Sequence, residues 1–388
     1  MRNLMPPIIT RVLFLYANQP DALTTRKIEL IANIPDFEVA LLYWNRMNSL
    51  SIPFTISIPA DRLIRIDICD VNSSVLLKFL KRAYVVINMT FKLLHSRPHV
   101  VSAGSLDVLV AAVLAKLIFF QKIKLVYDLA DTDDLMLLRP VIAMQKFLFR
   151  YVDQILITSK RYNDGFLELF KLKSELIPVS YVPNSPPKKL FDFYTPRSWD
   201  EEITISYIGT FRGTYSISCL VKAVEQARNA GFNISVLFAG TGPEKELVEK
   251  YSLEHDFVKY YGPYKYSEEI SKIYSATNIV YACYDDSHNK RIALACRFAE
   301  AIVCGIPLIV SKGTYMAELT EKHGLGYAIG PNDVSSLVKI IENLIRTQEE
   351  RNRIRSNDEK VRNEYLFDSY ESELKRIYQS QPKNSMLN

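Results

Sequence analysis

Short apolar, β-branched runs alternate along this chain with longer stretches whose apolar residues recur every three or four positions. Arg11 to Ala17 (RVLFLYA) predicts a buried strand, Thr25 to Asn33 a helix and Glu38 to Trp44 a second strand. Leu106 to Phe120 predicts a helix, Lys124 to Tyr127 a strand, Ala143 to Val152 a helix and Gln154 to Ser159 a strand. Val182 to Arg197 (VPNSPPKKLFDFYTPR) then breaks the pattern with prolines and turn residues and predicts a linker. Beyond it the alternation restarts. Strands are expected at Ile203 to Ile208, Ile234 to Ala239, Asn278 to Cys283 and Leu308 to Val310, with helices at Ile217 to Ala230 and Glu268 to Ser275.

Alternating strands and helices imply parallel sheets covered on both faces. The expected organisation is α/β with two doubly wound domains. Residues 1–185 form the first, 186–202 link, 203–362 form the second, and 363–388 supply a charged helix that packs back on the first domain. Two such domains would place a cleft between them, and ligands bind these sheets at the carboxyl ends of the strands.

With 388 residues the chain is too long for one ordinary core. Its 48% hydrophobic and 23% charged residues exclude a disordered protein. The start of the chain lacks the small-residue cleavage site of a signal peptide, and its apolar run is short. The five cysteines (Cys69, Cys219, Cys283, Cys296, Cys304) have no metal-like spacing, which suggests reduced thiols and a cytoplasmic location. The most apolar stretch, Leu106 to Phe120, is interrupted by Lys116 and is shorter than the roughly 20 residues of a membrane span.

Charge is unevenly distributed. Residues 1–190 hold 24 Lys and Arg against 16 Asp and Glu, a balance of +8, and the remainder holds 24 against 27, a balance of −3. Some of the excess lies on a candidate helix, Val75 to His95, with Lys78, Lys81, Arg82 and Lys92. Its apolar positions Leu76, Leu77, Leu80, Tyr84, Val85 and Ile87 make it amphipathic. Such a helix suits an anionic membrane surface or, alternatively, a solvated face packed on a sheet. No basic run is interleaved with aromatics in a nucleic-acid-binding motif.

Chemistry is suggested in the second half. Gly305 and Pro307 stop a helix ahead of a β-branched strand, and that helix carries Arg297 and Glu300 three positions apart on one face. A cation and a carboxylate beside a strand end suit a phosphorylated sugar, and the alternative is a surface ion pair. The turn Gly209-Thr210-Phe211-Arg212-Gly213 allows close backbone approach to a phosphate. Gly240-Thr241-Gly242-Pro243-Glu244-Lys245 has Lys245 where a dinucleotide fingerprint needs its third glycine. The histidines show no ligand spacing for zinc. Asp131, Asp133 and Asp134, or Asp285 and Asp286, could hold a divalent ion, but two arginines already supply positive charge, so no metal is expected.

In their order, ISYIGTFRG, VLFAGTGPEKEL, VKYYGPY, EEISKIYSATNIVYACYDD and CRFAEAIVCGIPLIVS resemble the second domain of glycosyltransferase family 4. SAGSLDVLVAAVLAKL, KLVYDLAD, ITSKRY and YVPNSPP resemble its first domain more loosely. The resemblance spans nearly the whole chain. It implies two Rossmann-like domains facing a cleft (the GT-B arrangement) and transfer, with retention, of a hexose-type sugar from a nucleotide diphosphate sugar. It also implies Gly209, Thr210, Arg212 and Arg297 at the donor diphosphate and Glu300 at the ribose. Asn289, Lys290 and Thr314 complete the implied donor set.

The family's first glutamate would fall at Ile292. In this respect Asn289-Lys290-Arg291-Ile292-Ala293 resembles an Asn-x-x-Ile-Ala stretch of bacterial capsule and exopolysaccharide transferases, with Ala295-Cys296-Arg297 where most read Pro-Asn-Lys. In the first domain Asp131, near Asp107 and Asp128 in the chain, is the candidate for contact with the acceptor or the reacting sugar. The competing reading is a helix N-cap, a role that also fits Thr132, Asp133 and Asp134. The acceptor implied is lipid-linked or a growing glycan in surface polysaccharide synthesis, with the protein peripheral on the inner membrane face. A nucleotide-sugar epimerase and a non-catalytic nucleotide-sugar-binding subunit are the rival readings.

Overall fold

The computed structural model describes residues 9–46, 56, 58–69, 73–118, 123–170 and 177–379. The chain divides into two compact units. The first comprises Met1–Val182 with Tyr370–Asn388, and the second Pro183–Ser369.

In the first unit the strands are β1 (Thr10–Tyr16), β2 (Phe37–Asn45), β3 (Leu63–Asp67), β4 (Val100–Ala103), β5 (Lys124–Leu129), β6 (Gln154–Ile157) and β7 (Val179–Tyr181). They form one parallel sheet in the order β3-β2-β1-β4-β5-β6-β7. Among the described residues the helices interspersed with them are α1 (Ala22–Ala32), α2 (Val75–Ser96), α3 (Leu106–Ile118), α4 (Arg139–Phe149) and α5 (Arg161–Gly165). Positions 119 and 120 of the helix expected to reach Phe120 lie outside the described residues. Asp21 starts α1 by accepting the Thr24 amide at 2.8 Å. No described helix is long and apolar enough to cross a membrane.

The second unit repeats the plan. Its strands β8 (Ile203–Thr210), β9 (Ile234–Thr241), β10 (Val258–Gly262), β11 (Ile279–Ala282), β12 (Leu308–Ser311) and β13 (Gly326–Ile329) are all parallel, in the order β10-β9-β8-β11-β12-β13. Its helices are α6 (Thr214–Asn229), α7 (Lys245–Glu254), α8 (Tyr266–Ser275), α9 (His288–Ile292), α10 (Cys296–Cys304), α11 (Tyr315–His323), α12 (Val334–Arg346) and α13 (Gln348–Val361). Two apolar layers cover the sheet. One contains Tyr207, Ile217 and Phe238, the other Ile208, Val280 and Phe298. Strand order reverses between β8 and β11, so the crevice that binds ligands in this class of sheet opens at their carboxyl ends.

The last helix, α14 (Glu371–Gln379), belongs to the first unit and packs near α1. Tyr378 is fully buried, its ring 5.5 Å from Phe14 and its hydroxyl 2.8 Å from the Ser102 hydroxyl. Glu373 accepts the Ser180 hydroxyl at 2.7 Å. Returning the C-terminal helix therefore fills a core position in the first unit.

Candidate functional site

Gly209, next to last in β8, has φ +104°, a backbone shape that favours glycine. A Cβ there would stand 3.0 Å from Nη2 of Arg297, so the strand end and the guanidinium meet directly. Arg297 lies in the first turn of α10 and is only 7% exposed. Its guanidinium carbon stands 4.4 Å from the centroid of the Tyr207 ring and 5.2 Å from that of Tyr284. Each such contact is worth about 0.5–2 kcal/mol and fixes the plane of the group.

Nη1 of Arg297 is buried without a hydrogen-bond partner. Among the described residues no carboxylate forms an ion pair with Arg297. A buried cation without a counter-ion carries several kcal/mol of desolvation cost. An anionic partner would offset that cost.

Neighbouring features point the same way. Ala295 at the N-cap of α10 has no side-chain hydrogen bond to the helix. The positive end of the helix macrodipole is thus uncapped beside Arg297. Lys290 stands with its ammonium 5.7 Å from the centroid of the Tyr284 ring. Burial, opposed by Asp285 and assisted by the charge of Arg212, holds that ammonium below the usual lysine range. Arg212 itself is exposed. The Tyr207 hydroxyl holds the turn before α6, donating to the Arg212 carbonyl at 3.0 Å. The amide of Ser216, in the first turn of α6, is instead occupied by Oδ1 of Asp285 at 3.1 Å. Of the starts of α6, α9 and α10, only that of α10 lacks a side-chain partner; Ser287 caps α9.

The structure thus brings Gly209, Arg212, Lys290 and Arg297 together, with Thr210 at the end of the same strand. Asn289 lies in α9 beside Lys290. Thr314 is the N-cap of α11 and is committed there, donating to the Ser311 carbonyl at 2.7 Å and accepting the Ala317 amide at 3.1 Å. Ile292, at the position expected to differ from the family, is buried.

Glu300 is 2% exposed, which rules out a surface ion pair with Arg297. Its Oε2 accepts the Tyr274 hydroxyl at 2.8 Å, and its Oε1 accepts the Tyr266 hydroxyl and the Cys296 thiol. Glutamine would offer one acceptor oxygen to these donors. Glu300→Gln is expected to cost about 1–3 kcal/mol in urea unfolding, whatever its effect on ligand affinity. An unchanged midpoint would show that the tyrosines do not depend on the carboxylate.

In the first unit Asp131 is exposed, two residues beyond the end of β5. The capping role falls to Asp133, whose Oδ1 accepts the Met136 amide at 2.9 Å. Asp128 is buried, pairs with the Lys27 ammonium and accepts the Tyr16 hydroxyl at 3.0 Å. Asp286 pairs with Arg291. Among the described residues no group of three His, Cys, Asp or Glu converges as a metal site.

Sequence reasoning missed Tyr207 and Tyr284. For Tyr207 a signal was present: it lies two residues before Gly209 on the same strand, hence on the same face.

Residues 193–361 match the family model described as glycosyl transferases group 1. A comparison with curated proteins gave no match. Among solved structures the chain resembles Alr3699/HepE of Anabaena in complex with UDP and glucose, at 16% identity and TM-score 0.68, over 96% of this chain and all of that one. It also resembles the apo lipopolysaccharide outer core galactosyltransferase WaaB, at 15% identity and TM-score 0.62, over 95% and 99% of the two chains. A UDP-N-acetylglucosamine 2-epimerase matches at 12% identity and TM-score 0.61, over 90% and 91%. At such identities the likeness is one of fold, and the fold is α/β of the GT-B glycosyltransferase type.

Proposed function

We propose that this protein is a glycosyltransferase that takes a sugar from a nucleotide diphosphate donor, with the diphosphate seated against Arg297. The observation that carries this reading is the buried, unpaired Nη1 of Arg297 beside the end of β8. The group 1 glycosyl transferase match over 193–361 supports the reaction class, and the UDP held by the Anabaena neighbour supports the donor class.

In such a transfer the diphosphate leaves carrying negative charge. Fixed positive groups aimed at that charge lower the barrier without reorganising. Arg297, Lys290 and the start of α10 do so here, with Arg212 reaching in from the exposed turn. Gly209 and Thr210 offer backbone at close range, Asn289 lies beside Lys290, and Glu300 is the proposed ribose contact. Thr314 shapes the loop after β12. Ile292 stands where the resembling family carries a glutamate, so no carboxylate comes from that position.

Asp131 is the proposed group toward the reacting sugar or the acceptor. The acceptor class we favour is a lipid-linked or growing glycan of a surface polysaccharide, with the protein peripheral on the cytoplasmic face of the membrane and the product retaining anomeric configuration. The neighbouring lipopolysaccharide galactosyltransferase supports the acceptor class. The epimerase neighbour keeps one rival alive, a nucleotide-sugar epimerase.

A thermal-shift screen of nucleoside diphosphates and nucleotide sugars tests the donor reading, since a ligand that binds the folded state raises its stability. The expected result is a raised melting temperature with one family of nucleoside diphosphates, unaffected by a chelator because arginine and lysine carry the counter-charge. No shift with any nucleotide would refute the donor site. A shift that disappears in chelator and returns with magnesium or manganese would refute metal independence. Conversion of a nucleotide sugar to its epimer without acceptor would favour the rival.

A further inference from the structure

Glu300 is already engaged by the protein's own donors. An ionised carboxylate offers about four acceptor positions. Three are taken here. Oε1 accepts the Tyr266 hydroxyl and, at 3.0 Å, the Cys296 thiol, and Oε2 accepts the Tyr274 hydroxyl at 2.8 Å. The neighbouring 2′ and 3′ hydroxyls of a ribose are both donors. Two of them on Glu300 need two acceptor positions, so one of the protein's donors has to leave.

The three donors differ in freedom. Tyr274 is fully buried, with its ring edge-on and 5.5 Å from that of Phe191. Cys296 is the first residue of α10 and precedes Arg297 in the same turn, so its place is tied to that of the guanidinium. Tyr266 is only half-buried and is the first residue of α8. Its backbone is pinned. The Lys265 amide donates to Oε2 of Glu269 at 2.6 Å, and Oε1 of Glu269 accepts the Tyr261 hydroxyl at 2.6 Å. The Tyr266 side chain can therefore pass between staggered positions while the start of α8 stays in place.

We propose that Tyr266 gates the approach to Glu300: its hydroxyl holds Oε1 in the free protein and swings out when the hydroxyls of a ribonucleoside diphosphate take that oxygen. The inference rests on the donor reading, which puts Glu300 at the ribose. Tyr266 acts through Glu300 and is a positioning residue. Its contact stabilises the free protein and must be broken on binding, so it lowers affinity by the same amount. It also selects the sugar. Ribose replaces the donor that the carboxylate gives up, whereas a 2′,3′-dideoxy sugar brings no donor and leaves the Tyr266 contact intact.

The full chain is titrated calorimetrically with uridine, guanosine and adenosine diphosphates, and with the 2′,3′-dideoxy form of whichever binds. Tyr266→Phe keeps the ring and removes the hydroxyl. It is expected to bind the ribonucleoside diphosphate about three- to tenfold more tightly than the wild type, to bind the dideoxy form no more tightly, and to unfold at a lower temperature when free. A merely structural tyrosine would lower the unfolding temperature without tightening binding. Should the phenylalanine variant fail to fold, Tyr266→Leu must show the same gain confined to the ribose form. A variant that binds the ribose form no better than the wild type, or gains equally with both forms, would overturn the gate while leaving the donor reading in place. If no nucleoside diphosphate binds the wild type, the donor reading falls and the gate falls with it.

Discussion

Arg297→Ala is expected to abolish transfer and weaken nucleoside diphosphate binding, yet leave the unfolding midpoint of the free protein within a few degrees of the wild type. The two halves of this expectation come from one observation. The guanidinium is buried with Nη1 unpaired, so the ligand-free protein bears its desolvation cost with only the Tyr207 and Tyr284 rings in return. Removing it sacrifices two cation–π contacts and leaves a small void, but relieves a buried charge. The ligand-bound state gains no such relief. It loses a charge-assisted hydrogen bond worth about 2–3 kcal/mol, roughly 30- to 150-fold in affinity. Titration calorimetry with the diphosphate found in the thermal screen measures the first effect and thermal unfolding of the free protein the second. Arg297→Lys keeps the charge without the planar stacking and should recover only some of the affinity. Unchanged affinity in Arg297→Ala would remove Arg297 from the site.

The largest loss of stability is expected from Gly240→Ala. Gly240 pairs with Gly209 across β9 and β8, and its φ is +140°. A Cβ there would overlap the Gly209 carbonyl oxygen, which is backbone and cannot rotate aside. Strain at such a φ costs about 1–3 kcal/mol by itself. Relief of the overlap must in addition push the paired strands β8 and β9 away from each other at the edge of the site. A loss of more than about 3 kcal/mol is expected, read as a lowered urea midpoint or as failure to accumulate folded protein. If the variant folds, displacement of Gly209 should also weaken nucleotide binding. A variant with the wild-type midpoint would mean that the glycine pair is not tightly apposed.

Both expectations concern features only half visible in the sequence. The strands that could be read, β1, β2, β5, β6, β8, β9, β11 and β12, are mostly apolar runs rich in β-branched or aromatic residues. Those missed were short or mixed: β4 is VVSA, and β10 is VKYYG with its lysine and a tyrosine exposed. All four side chains of β4 are buried, but four residues are too few to show a period, and in β10 only the two end positions are buried, so pairing with a longer neighbour decides their conformation. Arg297 and Glu300 were legible as a pair on one helical face. Their burial was not, because the tyrosines that enclose them come from β8, α8 and the loop after β11, and sequence distance hides that convergence. The apolar stripe of α2 was equally legible, but a periodic pattern does not say which side faces the protein. The packed side is the one that contains Thr90, whose hydroxyl donates to the Val86 carbonyl at 2.8 Å.

The return of α14 to the first unit sets an order of events during synthesis. The second unit is one continuous segment, 183–369, and can close as soon as it leaves the ribosome. The first unit begins to emerge earlier but lacks Tyr378 against Phe14 and Ser102 until α14 has been made. Until then the socket for α14 exposes apolar side chains. The unit begun first is thus completed after the second, and deletion of α14 should harm the unit that lies farthest from it in sequence.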